Sequence, residues 1–132
     1  MGGLTLLELL IAVAVVGILL LSAYPSYSSY SKRSARSAVQ SLMIDLANRE
    51  QQYLLDNRAY IGGGAAAVTT LLGSHGIPEN IAANYDVAIA APTDITFTIT
   101  ATPKAGSTMA GDGALTLDEA GTMLPADKWG GR

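Results

Sequence analysis

Residues 4–23 form an apolar run of 20 residues in which Glu8 is the only charge. A helix of that length rises about 30 Å, the thickness of bilayer hydrocarbon. In lipid a single chain must satisfy its own backbone, which a helix does. Beyond the run the rhythm changes without a break. Val39, Leu42, Met43, Leu46, Tyr53 and Leu54 recur at i, i+3, i+4, i+7 spacing, with Arg49, Glu50 and Gln51 on other faces. Pro25 is the one kink point, because it lacks a backbone donor and crowds the preceding turn. Gly17 adds looseness upstream of it. The pattern predicts one helix of roughly 50 residues, about 75 Å long. It is apolar all round over 4–25 and amphipathic over 26–60.

In the back half the period falls to two. Tyr85, Val87 and Ile89 alternate, then Ile95, Phe97, Ile99 and Ala101 alternate with Thr96, Thr98 and Thr100. Ala91-Pro92-Thr93-Asp94 reads as the turn between them. Leu115-Thr116-Leu117 and Thr122-Met123-Leu124 flank Asp118-Glu119-Ala120-Gly121, a hairpin loop. Ile61-Gly62-Gly63-Gly64-Ala65-Ala66-Ala67 is a low-complexity connector, and Val68-Thr69-Thr70-Leu71-Leu72 suits either a helical turn or an extended piece. The expected class is α+β: a long N-terminal helix packed on a small antiparallel sheet of about four strands. The β-rich head occupies 61–132. A sheet this small needs the helix to cover its apolar face.

Composition moves the apolar run towards lipid. The chain is 49% hydrophobic and 14% charged, against about 25% charged in a usual soluble domain. A secretory signal wants a basic n-region, a shorter apolar core and a small-residue cleavage site. Here nothing basic precedes the run, and Tyr24-Pro25-Ser26-Tyr27 follows it. Met1-Gly2-Gly3 offers no Lys or Arg for positive-inside orientation, so the expectation is that the natural start lies upstream. A carboxylate costs about 2.5–3.5 kcal/mol at mid-bilayer and less near the interface. Glu8 therefore either sits at headgroup level or needs a cationic partner that this segment does not supply.

The 132 residues carry a net charge of −3, divided as +1 over 1–58 and −4 over 59–132. No global basic field arises, so there is no strong nucleic-acid signal. The absence of cysteine excludes disulfides, thiolate zinc and cysteine nucleophiles. His75, the only histidine, lies in Gly73-Ser74-His75-Gly76 and reads as a solvated loop residue. No nucleophile with an orienting acid accompanies it, so no catalytic residue is assigned and no enzyme is expected. Asp112, Asp118, Glu119 and Asp127 lack EF-hand spacing and read as solvated turn acids, with calcium as the minority alternative. No cofactor or metal is expected. Lys32, Arg33 and Arg36 form a solvated collar just past the apolar run. Tyr24, Tyr27 and Tyr30 share a helix face suited to interfacial anchoring.

Gly3-Leu4-Thr5-Leu6-Leu7-Glu8-Leu9 and the run after it resemble the G-F-T-L-I-E-L signature of type IV prepilins. Ala23-Tyr24-Pro25-Ser26-Tyr27, Arg33 and the stretch Gln51-Gln52-Tyr53-Leu54-Leu55-Asp56-Asn57-Arg58-Ala59-Tyr60 are similar to the subgroup of minor and major fibre subunits. The resemblance is dense over 3–60 and thin beyond. Leu4 stands where phenylalanine is commonest, and Leu6-Leu7 replaces Leu-Ile. The resemblance implies that prepilin peptidase cuts between Gly3 and Leu4 and that the new amine of Leu4 is methylated. It implies that Glu8 meets the N-terminal amine of a neighbouring subunit, and that the helix stretches between Gly17 and Pro25 in the fibre. It also allows inter-subunit pairing by the collar.

Such pilins usually close a C-terminal loop with two cysteines, in patterns like C-G-x-L-T-L and a final C-W. Asp112-Gly113-Ala114-Leu115-Thr116-Leu117 and Lys128-Trp129 match, with Asp112 and Lys128 where the cysteines would be. Either an ion pair assisted by Trp129 packing substitutes for the bridge, or both side chains are merely solvated.

The expected function is that of a structural subunit of a type IV pilus. It is processed at the bacterial inner membrane and polymerised through its N-terminal helix into an extracellular fibre for motility, adhesion or DNA uptake. Its partners are copies of itself and other pilins, prepilin peptidase, the assembly machinery and the inner membrane. The rivals are a type II secretion pseudopilin and, from another class, a membrane-anchored periplasmic enzyme or binding protein.

Overall fold

The computed structural model describes residues 2–130; Met1 of the expected leader lies outside them. Helix α1 runs from Leu6 to Asn57, 52 residues that include Pro25. Thr5 caps its start, its Oγ1 accepting the Glu8 N–H at 3.2 Å. The helix ends two turns after Glu50. Arg58, in the left-handed region at φ 60, closes it by donating its N–H to the Leu54 carbonyl at 2.7 Å. The chain divides into two compact units between Arg33 and Ser34.

In the first unit, every large apolar side chain from Leu4 to Leu21 is at least 50% exposed. A helix apolar on all sides with nothing covering it is built for lipid or for other helices.

The second unit holds the core. Val39, Leu42, Met43 and Leu46 of α1 are buried at the spacing the pattern predicts. Burying each such side chain is worth about 1.5–3 kcal/mol. They share one cluster with the inward residues of an antiparallel sheet in the order β1-β2-β3-β4. Its strands are β1 (Tyr85–Thr93), β2 (Thr96–Pro103), β3 (Leu115–Asp118) and β4 (Met123–Leu124). Two cross-strand rows fill its inner face, Val87–Ala101–Leu115 and Ile89–Ile99–Leu117. Thr98, Thr100 and Thr116 face the other way, half-buried. Short helices α2 (Ala65–Leu72), α3 (Glu79–Ala82) and α4 (Ala126–Trp129) complete the unit. Tyr60 meets Phe97 edge-on at 4.7 Å.

Four expectations shift. The connector does not run to Ala67, because Ala65 opens α2 and Ala67, Val68 and Leu72 enter the core. Apolar burial therefore decides the conformation of a stretch whose composition is ambiguous. The β1–β2 turn is tighter than Ala91-Pro92-Thr93-Asp94. Thr93 pairs with Thr96, the register slips between Ala90 and Thr93, and Ile95 sits at the hairpin tip, 73% exposed. Pro92 has no N–H for the ladder, which suits the irregularity. Glu50, expected on a polar face, is fully buried in line with Leu46 and Met43. Arg36, expected in the solvated collar, is half-buried on α1 with its side chain against Asp112.

Candidate functional site

The N-terminal region is simple in geometry. Thr5-Leu6-Leu7-Glu8 has the spacing of a capping box, and Glu8 lies in the first turn of α1, where a carboxylate also complements the helix dipole. That signal was present in the sequence and offers Glu8 a local role at the start of the helix, apart from the inter-subunit one that the resemblance implies. Gly3 and Leu4 precede the helix and are exposed. Gly17 and Pro25 both lie within continuous helix, and a Cβ at Gly17 would meet open space.

The C-terminal region brings distant residues together. Asp112 accepts from Arg36 Nη2 at 2.6 Å and from Arg36 Nε at 3.1 Å, a two-pronged contact between residues 76 apart in sequence. Lys128 Nζ lies 3.9 Å from the same Oδ1. Gln40 Nε2 donates to the Lys128 carbonyl at 2.8 Å. The hydrogen bond that Arg36 donates to Asp112 raises the Arg36 pKa above its usual value, against a smaller opposing effect of burial. Tyr85, buried beside this pair, has its hydroxyl pushed up to about 12 by burial and by the Asp112 charge. Trp129 packs against the core cluster and donates Nε1–H to the Leu124 carbonyl at 3.1 Å. Sequence reasoning named Asp112, Lys128 and Trp129 but missed Arg36 and Gln40, because no local pattern links positions so far apart.

The remaining acids are individually engaged. Asp118 accepts the Thr122 N–H at 2.7 Å across a turn in which Gly121 takes φ 79, and that bond lowers its pKa. Glu119 accepts the Phe97 N–H at 3.2 Å. Asp127 is exposed, and His75 ends an exposed 3-10 turn. Among the described residues no three acids or histidines converge on a cation position.

The family model described as "Type IV minor pilin ComP, DNA uptake sequence receptor" matches residues 25–116, and that of the prokaryotic N-terminal methylation motif matches residues 1–24. The chain belongs to the type IV minor pilin ComP family. A solved type IV pilin from Shewanella oneidensis superposes with a TM-score of 0.53 over 72% of this pilin and 92% of that chain, at 18% identity. It shares the fold. No curated protein matches the chain.

For this pilin the methylation motif and the exposed apolar start of α1 mean anchoring in the inner membrane before assembly into a pilus. The same motif implies processing by prepilin peptidase. Subunits of this family and fold are structural.

Proposed function

We propose that this minor pilin is cut between Gly3 and Leu4, methylated at Leu4, and drawn into the fibre by residues 4–25 of α1. Residues 26–60 and the head over 61–132 then form the outward part of the subunit. The observation that carries this reading is the exposed apolar surface of residues 4–21, in which Glu8 is the only charge.

The family description names DNA uptake, and we infer that this subunit serves it by building the fibre rather than by gripping DNA phosphates itself. Nonspecific DNA binding rests on Lys and Arg free to replace counterions. Residues 34–130 hold five such cations against ten acids. Four of the five, Arg36, Arg49, Lys104 and Lys128, are in ion pairs, leaving Arg58 among the described residues of that span; Lys32 and Arg33, which end the first unit, are the two further exposed cations without an ion pair among the described residues.

Mass spectrometry of sheared fibres tests the assembly reading: the expected N-terminus is N-methyl-leucine at Leu4. An intact leader in assembled fibres would overturn it. The detergent-solubilised protein is expected to show no salt-sensitive retention on duplex DNA. Tight binding that weakens steeply with salt would transfer the receptor role to this head while leaving assembly untouched.

A further inference from the structure

We propose that the C-terminal segment of the head is latched to α1 by an ion cluster centred on Asp112, with Arg36 as its principal cation. The segment needs such a latch. Residues 104–114 make an excursion of 11 residues between β2 and β3, and β4, only two residues long, leads to α4. The chain has no cysteine to close this region covalently.

Arg36 and Gln40 stand one turn apart on α1 and grip two different pieces of the segment. Arg36 holds the Asp112 carboxylate through both oxygens, and Gln40 holds the α4 backbone at the Lys128 carbonyl. Lys128 closes the triangle at 3.9 Å. Its ammonium lies against Gly113, where a Cβ would come within 3.1 Å of Nζ. Gly113, at φ +84, thus supplies both the turn and the space for the cation. The three side chains are 24%, 15% and 22% exposed. They are therefore partly withdrawn from solvent, where an orphaned charge is costly, yet each keeps enough exposure for molar salt to reach and screen it. This geometry does not fit two merely solvated side chains at 112 and 128. Nor is it a simple exchange of one bridge for one ion pair, since the shortest contact leads to the helix and not to Lys128.

Hydrogen exchange and limited proteolysis on the full-length protein in detergent test the latch. Asp112→Asn leaves two cations facing one another and is expected to speed exchange or cleavage within 104–130 by about tenfold or more. Arg36→Met is expected to do less and Lys128→Ala least, in keeping with its longer contact. The double variant Arg36→Met with Asp112→Leu is expected to open the segment less than Asp112→Asn alone, because it orphans fewer charges. Should Asp112→Asn fail to fold, the wild-type protein decides. Amides of residues 109–113 and 126–129 are expected to exchange faster at about 1 M salt, where the Debye length is roughly 3 Å, while paired amides of β1 and β2 do not. Unchanged exchange in Asp112→Asn, or no salt response confined to these residues in the wild type, would overturn the proposal.

Discussion

At Glu50 a fully buried carboxyl group uses one oxygen to accept the Ile61 N–H at 3.0 Å and leaves the other without a partner. Burial raises its pKa above the ordinary glutamate value of 4.5, and the Ile61 hydrogen bond opposes this only in part. Across the interval just above 4.5 the folded protein therefore keeps a proton that the unfolded chain has released. The resulting stability is complete below the unfolded value and is lost as pH rises through the folded one. Denaturant titrations between pH 4 and 7 are expected to show this fall in the wild type and a flatter profile in Glu50→Gln, which retains an acceptor for Ile61 but cannot titrate. Identical profiles would remove the linkage. Glu50→Leu, which strands the Ile61 N–H, is expected to cost about 1–3 kcal/mol at the acid end of this range and less at the neutral end, where the wild type has itself lost stability.

Among the elements, α1 carries its own weak stretch. Glycine in a helix costs about 1 kcal/mol relative to alanine, and Pro25 cannot bond to the carbonyl of Leu21. The segment between Gly17 and Pro25 is helical in the isolated subunit, and we expect it to unwind when the fibre forms. A fibre map with continuous helix through these residues would refute this. Gly17→Ala is expected to shorten the unwound stretch.

The same helix shows what the sequence made legible. Its period placed Val39, Leu42, Met43 and Leu46 in the core, and the alternation of Phe97, Ile99 and Ala101 placed the sheet's inner face. Period-based reasoning failed where burial overrode polarity, at Glu50, and where one residue of turn geometry moved Ile95 to the hairpin tip. It could not reach Arg36–Asp112, a contact 76 residues long that exists only once the sheet has folded back onto α1.

For the whole molecule, assembly exchanges one apolar environment for another. Lipid tails are as apolar as leucine, so moving residues 4–21 from bilayer to fibre gains little from hydrophobicity itself. Van der Waals packing and the fate of the single acid then decide whether a subunit enters. An unpaired carboxylate at depth costs about 2.5–3.5 kcal/mol, so a cationic amine from a neighbour at Glu8 would favour the incorporated state by roughly a hundredfold. Glu8 also sits at the capped start of α1, and the two roles separate by substitution. Glu8→Gln keeps a capping-box residue and removes the charge, whereas Glu8→Leu removes both. If the inter-subunit charge contact governs entry, both variants are expected in the membrane and processed normally, yet nearly absent from sheared fibres. If the cap governs it, Glu8→Gln assembles like the wild type and only Glu8→Leu fails. Quantifying the subunit in the membrane and fibre fractions of the same cells distinguishes these outcomes, and wild-type incorporation of Glu8→Leu would remove Glu8 from assembly altogether.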